Sequence, residues 1–509
     1  MVLSSGSLSL MFVVDRIFLT WYSRDALAAA MPAGLLYWSI AGMLVGTVMY
    51  VNTFVAQYEG AEQAGRVVSS VWQGLYLSVI GGLFMLLFIP FADEIFSVIG
   101  HAESVQQLES EYFAILCLGG LPSLLSTALF SFYSGRGKTL TVMYVNFGVS
   151  LMNILLDYLL IFGIGPFPKL GIQGAAIATV AAQVYGLIAY IALFVRDHRQ
   201  SEYPTLAQRK FDRPLFGRLV RYGLPTGLQY LSDIAGFALF IFLIGQIGRN
   251  ELAATNLAFN LNSMAFVPMF GFGTAVMTLV GKRIGEQRPE LAIRTTWLAF
   301  RVCSVYMLAF IALFVFLPDV ILAPYAVKSA PEEFEPLRNL AINLLRFVAI
   351  YSFFDGMAIV FGAAIRGAGD TRFSLIFTFF AAWIFMVLPT FVIWKWFDKN
   401  LFAAWAACSV YVVILGIGFL IRFRMGQWRS MRVIESADEL QQMTVQNEMP
   451  NDDVQQPEMQ PQDVTTIPSS FDGPHVGTPI SPRPQPTILP QAVENPAILS
   501  PGNSNDESP

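Results

Sequence analysis

The chain has 509 residues, of which 55% are hydrophobic and only 13% charged, which excludes a water-soluble globule of ordinary composition. Its formal net charge of −5 is set by the end of the chain: from Glu435 onward there are 12 acids and one base, so the preceding body carries about +6. The bases of that body lie in short loops between apolar runs, so a nucleic-acid partner is not implied.

Apolar runs fall at about residues 2–21, 26–56, 67–93, 110–134, 140–164, 171–195, 222–246, 251–281, 295–317, 338–365, 373–394 and 400–421. Each is long enough to cross a bilayer as a helix, and no period-two pattern suggests a barrel. The expected fold is therefore an all-α, polytopic membrane protein with twelve transmembrane helices. With the start placed in the cytoplasm, the inner loops hold 20 Lys and Arg residues against seven outside. That bias predicts a multi-pass protein of the plasma (inner) membrane with both termini cytoplasmic.

The basic loop Arg196–Arg221 divides the chain into two sets of six runs, and the sets repeat. Leu27-Ala-Ala matches Leu252-Ala-Ala, and Gly46, Thr53, Val55 and Gly60 match Gly271, Thr278, Val280 and Gly285 at a constant offset of 225. Gly135-Arg-Gly-Lys-Thr139 is echoed by Gly367-Ala-Gly-Asp-Thr371 at a slightly larger offset. Six spans per half make both halves enter from the same side, so the sequence predicts two pseudo-symmetric six-helix bundles related by an axis along the membrane normal. The expected divisions are an N-lobe over 1–195, a cytoplasmic loop over 196–221 and a C-lobe over 222–425. The stretch 435–509 holds 13 of the 28 prolines and reads as a disordered acidic tail.

Four aspartates lie inside apolar runs: Asp15, Asp157, Asp233 and Asp355. An acid at such depth costs roughly 2.5–3.5 kcal/mol on insertion scales, so two in each half point to function rather than packing. Asn153 and Asp157 are four residues apart and share a helix face, where an amide carbonyl beside a carboxylate offers hard oxygen ligands to a small cation. Tyr351 and Asp355 have the same spacing and combine a carboxylate with an aromatic face suited to an organic cation. Arg16, Arg301 and Arg346 are expected to snorkel or pair locally, with Arg16 placed to pair with an acid. Cys117, Cys303 and Cys408 all fall in apolar runs and read as inert core thiols. Gly137-Lys-Thr139 resembles the end of a phosphate loop, but Phe132 stands where that loop needs glycine. Without HExxH, GxSxG or CxxC motifs, an enzyme is not expected.

Val14-Asp15, Gly174-Ala-Ala-Ile-Ala-Thr179, Tyr222-Gly-Leu-Pro225 with an acid eight residues on, and Arg366-Gly-Ala-Gly-Asp-Thr371 together resemble the multidrug and toxic compound extrusion (MATE) family of secondary antiporters. The resemblance covers nearly all of residues 1–425. It implies two six-helix bundles around a cleft that faces alternately in and out. It places Asp15, Asn153, Asp157 and Thr179 on the family's N-lobe cation site, able to hold Na⁺ or H⁺. It places Asp233, Tyr351 and Asp355 on C-lobe positions tied to ion and substrate binding.

The implied activity is export of hydrophobic or cationic drugs and xenobiotics in exchange for Na⁺ or H⁺, with no cofactor. The implied partners are small-molecule organic cations and the lipid bilayer, and the implied state is a monomer. A lipid-linked glycan flippase of the same superfamily would line its cleft with bases, where this chain offers acids; a receptor would bind without flux. Three features depart from the family pattern. Asp233 stands where Glu is common, Arg16 follows Asp15 where a neutral residue is usual, and the proline-bearing first half of span 1 is missing ahead of Met1. The resemblance thus implies a natural start upstream of Met1.

Overall fold

The computed structural model describes residues 2–436 and 439, apart from 100, 201–202, 327–330 and 398. All but the first few residues of the expected acidic tail lie outside the described residues.

Each of the twelve apolar runs is helical. In the first half the helices are α1 (Val2–Tyr22), α2 (Arg24–Met49), α3 (Val51–Gly60), α4 (Ala64–Leu86), α5 (Ala92–Ile99), α6 (Glu103–Leu118), α7 (Gly120–Gly135), α8 (Thr139–Phe162) and α9 (Ile172–Gln200). The second half has α10 (Arg213–Ile247), α11 (Arg249–Gly285), α12 (Pro289–Phe316), α13 (Pro318–Ala326), α14 (Pro331–Ala368), α15 (Thr371–Ala382), α16 (Leu388–Trp396) and α17 (Leu401–Met425). Among the described residues ten helices are long and apolar enough to span a membrane, or eleven if α6 and α7, bent by 42° at Gly119, count as one. Pro122 explains that bend, because it leaves the carbonyl four residues back without its helical donor. The first expected span is α1, which carries Asp15 and Arg16 within its 21 residues.

Local chemistry sets the ends. Ser23 Oγ accepts from the Asp25 and Ala26 amides at the start of α2, and Asn400 Oδ1 accepts from Phe402 (2.9 Å) and Ala403 (3.2 Å) at the start of α17. Gly163 and Gly426 close α8 and α17 at φ 71° and 75°, where a side chain would be strained. Between α15 and α16, Trp383–Val387 widens into a π turn just ahead of Pro389, whose missing amide cannot continue the α pattern.

Face by face, the helices sort lipid from core. On α8, Leu140, Tyr144, Phe147, Leu151 and Leu155 are more than half exposed and recur every three or four residues, while Val142, Val145, Ser150, Asn153 and Asp157 are buried on the other side. The acid therefore faces the protein interior. The most enclosed span is α14, with 72% of its apolar window buried against 17% for α12; it packs against α11, α12 and α17.

The two halves meet where α2 crosses α10, α3 crosses α11 and α1 meets α11. The repeat explains one crossing in detail. A Cβ on Gly60 would lie 2.1 Å from the Lys282 carbonyl oxygen, and one on Gly285 would lie 2.0 Å from that of Gln57. Only glycine at both matched positions lets the helix ends touch backbone to backbone. Around them Asn52 Nδ2 donates to Thr278 Oγ1 (2.9 Å), Gln57 Nε2 to the Gly367 carbonyl (2.9 Å) and Tyr50 OH to the Arg366 carbonyl (2.7 Å). The face carrying the basic loops is thus closed.

Candidate functional site

In the first half, α1 and α9 both pack on α8 and bring Asp15, Asn153, Asp157 and Thr179 to one place. Asn153 Nδ2 donates to Thr179 Oγ1 at 3.4 Å, which fixes the amide with its oxygen free. Asp157 is fully buried and Asn153 is 1% exposed. Neither carboxylate oxygen of Asp157 has a hydrogen-bond partner, nor do Asn153 Oδ1 and Asp15 Oδ1. Four buried acceptors facing no donor are costly unless a proton or a cation joins them. The donor set is all oxygen, which suits a small hard cation rather than a transition metal. Among the described residues no three His, Cys, Asp or Glu side chains converge as metal ligands.

Tyr112 on α6 lies near this cluster, with Tyr37 on α2 beside it. The Tyr112 hydroxyl is within electrostatic reach of both Asp15 and Asp157, and of Tyr37. Neither tyrosine is legible as a site residue from the sequence, because each comes from a distant run and carries no local spacing signal. Arg16 points outward and is exposed, with its charge still within reach of Asp15. A cavity of about 550 Å³ opens beside this half, lined by Tyr22, Asp25, Glu111, Lys169 and Gln173, with Gln173 Nε2 donating to Glu111 (2.9 Å).

In the second half, α10 presents Asp233 and α14 presents Tyr351 and Asp355. The two acids lie within electrostatic reach of one another, and Tyr351 lies beside Asp355. Asp233 Oδ1 is buried without a partner, as are Gln229 Oε1 and Ser232 Oγ nearby on the same helix. Tyr411 on α17 lies within electrostatic reach of both Asp233 and Asp355. Cys303 and Cys408, both free and buried, approach Asp355, and Cys303 Sγ lies 3.9 Å from Met269 Sδ.

Arg366, assigned by the sequence to an inner loop, belongs to the last turn of α14, with its charge near Asp233, Tyr230 and Tyr50. The glycine after it is required by packing: a Cβ on Gly367 would lie 2.6 Å from the Met277 carbonyl. The true turn residue is Gly369, at φ 123°.

Comparison with known proteins bears on the family and the fold. The family model described as MatE matches residues 1–159 and 225–392. A Thermotoga maritima protein described as a probable multidrug resistance protein NorM is 25% identical over 428 residues, covering 83% of this chain and 89% of that protein. The multidrug resistance protein NorM of Burkholderia vietnamiensis is 28% identical over 374 residues, covering 73% and 80%. Among solved structures, an outward-facing multidrug resistance transporter of the MOP superfamily superposes with TM-score 0.77 at 22% identity, covering 85% of this chain and 95% of that one. A Pyrococcus furiosus MOP-superfamily transporter, described as having a binding pocket of reverse polarity, gives 0.76 at 23%, covering 84% and 95%. At these identities the structures speak for the fold.

Proposed function

The chain belongs to the MatE family, and on that footing we propose that it is a secondary antiporter that exports hydrophobic, often cationic, small molecules in exchange for Na⁺ or H⁺. The observation that carries this reading is the set of four donorless oxygens on Asp15, Asn153 and Asp157. Such a set is stable only when something positive sits in it, and either a proton or Na⁺ meets that need. Asp15, Asn153, Asp157 and Thr179 are the proposed coupling-ion site. Asp233, Tyr351 and Asp355 are the proposed ion and substrate site, with the Tyr351 and Tyr411 rings offering faces to an organic cation.

The positive-inside bias of the basic loops supports a cytoplasmic location for the closed face. Alternating access then consists of parting the α2–α10 and α3–α11 crossings while the opposite side closes. One charge entering down a potential of 100 mV supplies roughly 2.3 kcal/mol, worth about a 50-fold substrate gradient. The names of the NorM relatives support drugs as cargo. The acid-rich second-half cluster favours cations over the anionic head group that a glycan flippase would handle.

The test is efflux of a fluorescent organic cation from proteoliposomes under an imposed Na⁺ gradient and, separately, an imposed pH gradient. Flux with one ion, lost in Asp157→Asn and Asp355→Asn, is the expected result. Binding without flux under either gradient would refute antiport.

A further inference from the structure

The chain does not leave the protein where α17 ends. After Gly426 it makes a short turn over Gln427–Ser430 that buries Trp428 against Phe423, with ring centroids 5.0 Å apart and planes within 15°. Trp428 Nε1 donates to the Phe423 carbonyl at 2.8 Å, so this turn is fixed to the second half. Residues 431–436 then cross to the first half. Val433 and Ile434 are buried in a cluster with Tyr50, Phe54, Tyr58 and Leu219. The Val433 amide donates to Gln57 Oε1 at 2.9 Å, and the other end of the same side chain holds the Gly367 carbonyl of α14.

Glu435, only 7% exposed, ends the crossing. Its carboxylate accepts from Tyr58 OH of α3 (2.5 Å), from Arg66 Nη2 of α4 and from Arg218 Nη2 of α10. Arg66 also donates to Asp212 (2.7 Å), the residue that caps α10. One carboxylate from the end of the transport body therefore ties α3 and α4 of the first half to α10 of the second, on the face where the halves are already closed.

We propose that residues 431–436 are a latch on the basic face, whose Glu435 carboxylate must leave Arg66 and Arg218 before the halves part there. The inference rests on the alternating-access reading and adds the element that sets its resting bias. A helix pair held by apolar contacts alone can slide, whereas a carboxylate shared by two guanidinium groups has one geometry that satisfies all three.

The experiment uses the full-length chain with spin labels at Gln63 and Arg288, on the two opposing basic-face turns, and a second pair at Pro166 and Asn250 on the other face. Distance distributions are recorded in sodium chloride against choline chloride and at acidic against alkaline pH, for wild type, Glu435→Asp, Glu435→Gln and Glu435→Arg. Removing one partner of a largely buried ion pair is strongly unfavourable, so Glu435→Gln should raise the open-to-closed ratio at the basic face by about tenfold or more. Glu435→Arg should raise it further, and Glu435→Asp should stay near wild type.

A monodisperse elution profile and a single cooperative unfolding transition for Glu435→Gln, at a lowered midpoint, separate opening from misfolding. If wild type opens under some condition while Glu435→Gln and Glu435→Arg keep its distributions, the latch is overturned and alternating access stands. If the basic face never lengthens in wild type or any variant, alternating access is overturned and the latch falls with it.

Discussion

Asp157→Asn gives the sharpest test of the donorless pocket, because it predicts a gain as well as a loss. The substitution keeps the shape of the side chain and exchanges one acceptor for an NH₂ group. Asp15, within electrostatic reach, and Asn153, on the same helix face, each carry an Oδ1 that is buried without a donor and could accept from that group. An unmet buried acceptor costs about 1–3 kcal/mol, so meeting one or two of them should stabilise the ion-free protein by about 1–6 kcal/mol. Wild type, by contrast, should be stabilised by its coupling ion, by about 2.7 kcal/mol at 100 times the dissociation constant. The assay is thermal unfolding in detergent as a function of Na⁺ at fixed ionic strength and as a function of pH. The variant should start with a higher midpoint than ion-free wild type and show a flat response where wild type rises. A variant that starts lower and keeps the full ion-dependent rise would refute the pocket, since the oxygens would then have other partners.

Asp355→Asn and Asp233→Asn should each abolish ion-driven efflux in proteoliposomes, whereas Tyr351→Phe, which keeps the aromatic face, should reduce apparent substrate affinity by about 10-fold or less, as expected for one lost hydrogen bond. Gly60→Ala and Gly285→Ala should part the α3–α11 crossing, because each new Cβ would sit about 2 Å from a backbone oxygen that cannot swing aside, and overpacking costs about 1–3 kcal/mol; cysteine accessibility on the basic face should rise. Burial pushes the Glu435 carboxyl up, but hydrogen bonds from Arg218 and Tyr58 and the charges of Arg66 and Arg218 outweigh it and lower its pKa from 4.5 to about 2. A depressed carboxylate contributes above its unfolded pKa and is lost as pH falls through the folded one. The latch contribution, about 3 kcal/mol, should therefore be flat above about pH 5 and fade below it, and Glu435→Gln should remove that acid-range change in basic-face distance.

Much of the architecture is written locally, and that part was readable. Apolar length alone locates helices, so each of the twelve expected runs proved helical. Four-residue spacing puts Asn153 and Asp157 on the same face of α8, and the structure turns that face inward. What escaped is what tertiary packing decides. Tyr112 reaches the first pocket from α6 and Tyr411 the second from α17, and nothing within either run distinguishes them from ordinary membrane-interface tyrosines. Arg366 stands in a Gly-rich stretch that reads as a loop, yet Gly367 is glycine because α11 presses against it. Glu435 stands at the head of an acidic, Pro-rich stretch, and composition places it with that stretch. Only the convergence of Arg66, Arg218 and Tyr58, from three separate helices, shows that it is buried.

The two halves carry their charge differently at the Gly-rich stretches. Arg136 follows the first glycine of its stretch, where the second half has Ala368, and Arg366 precedes the matching glycine, where the first half has Ser134. Arg136 is held at 3.3 Å from Asp197 and lies 3.6 Å over the Tyr203 ring, so its charge is committed to the basic face. Arg366 forms no salt bridge among the described residues, and its charge is directed to Asp233 and Tyr230 between the halves. A cation tethered beside Asp233 competes with any mobile cation for that carboxylate, while the first-half pocket of Asp15 and Asp157 has no such competitor beyond the outward-turned Arg16. The two acidic clusters therefore differ in their surroundings: the second has a buried fixed cation within electrostatic reach and the first does not. The halves meet on the same closed face, where the backbone of Arg366 and Gly367 is the acceptor for Tyr50 and Gln57 across the lobe boundary. A shift of the last turn of α14 would therefore be felt directly where Tyr50 and Gln57 of the first half hold it.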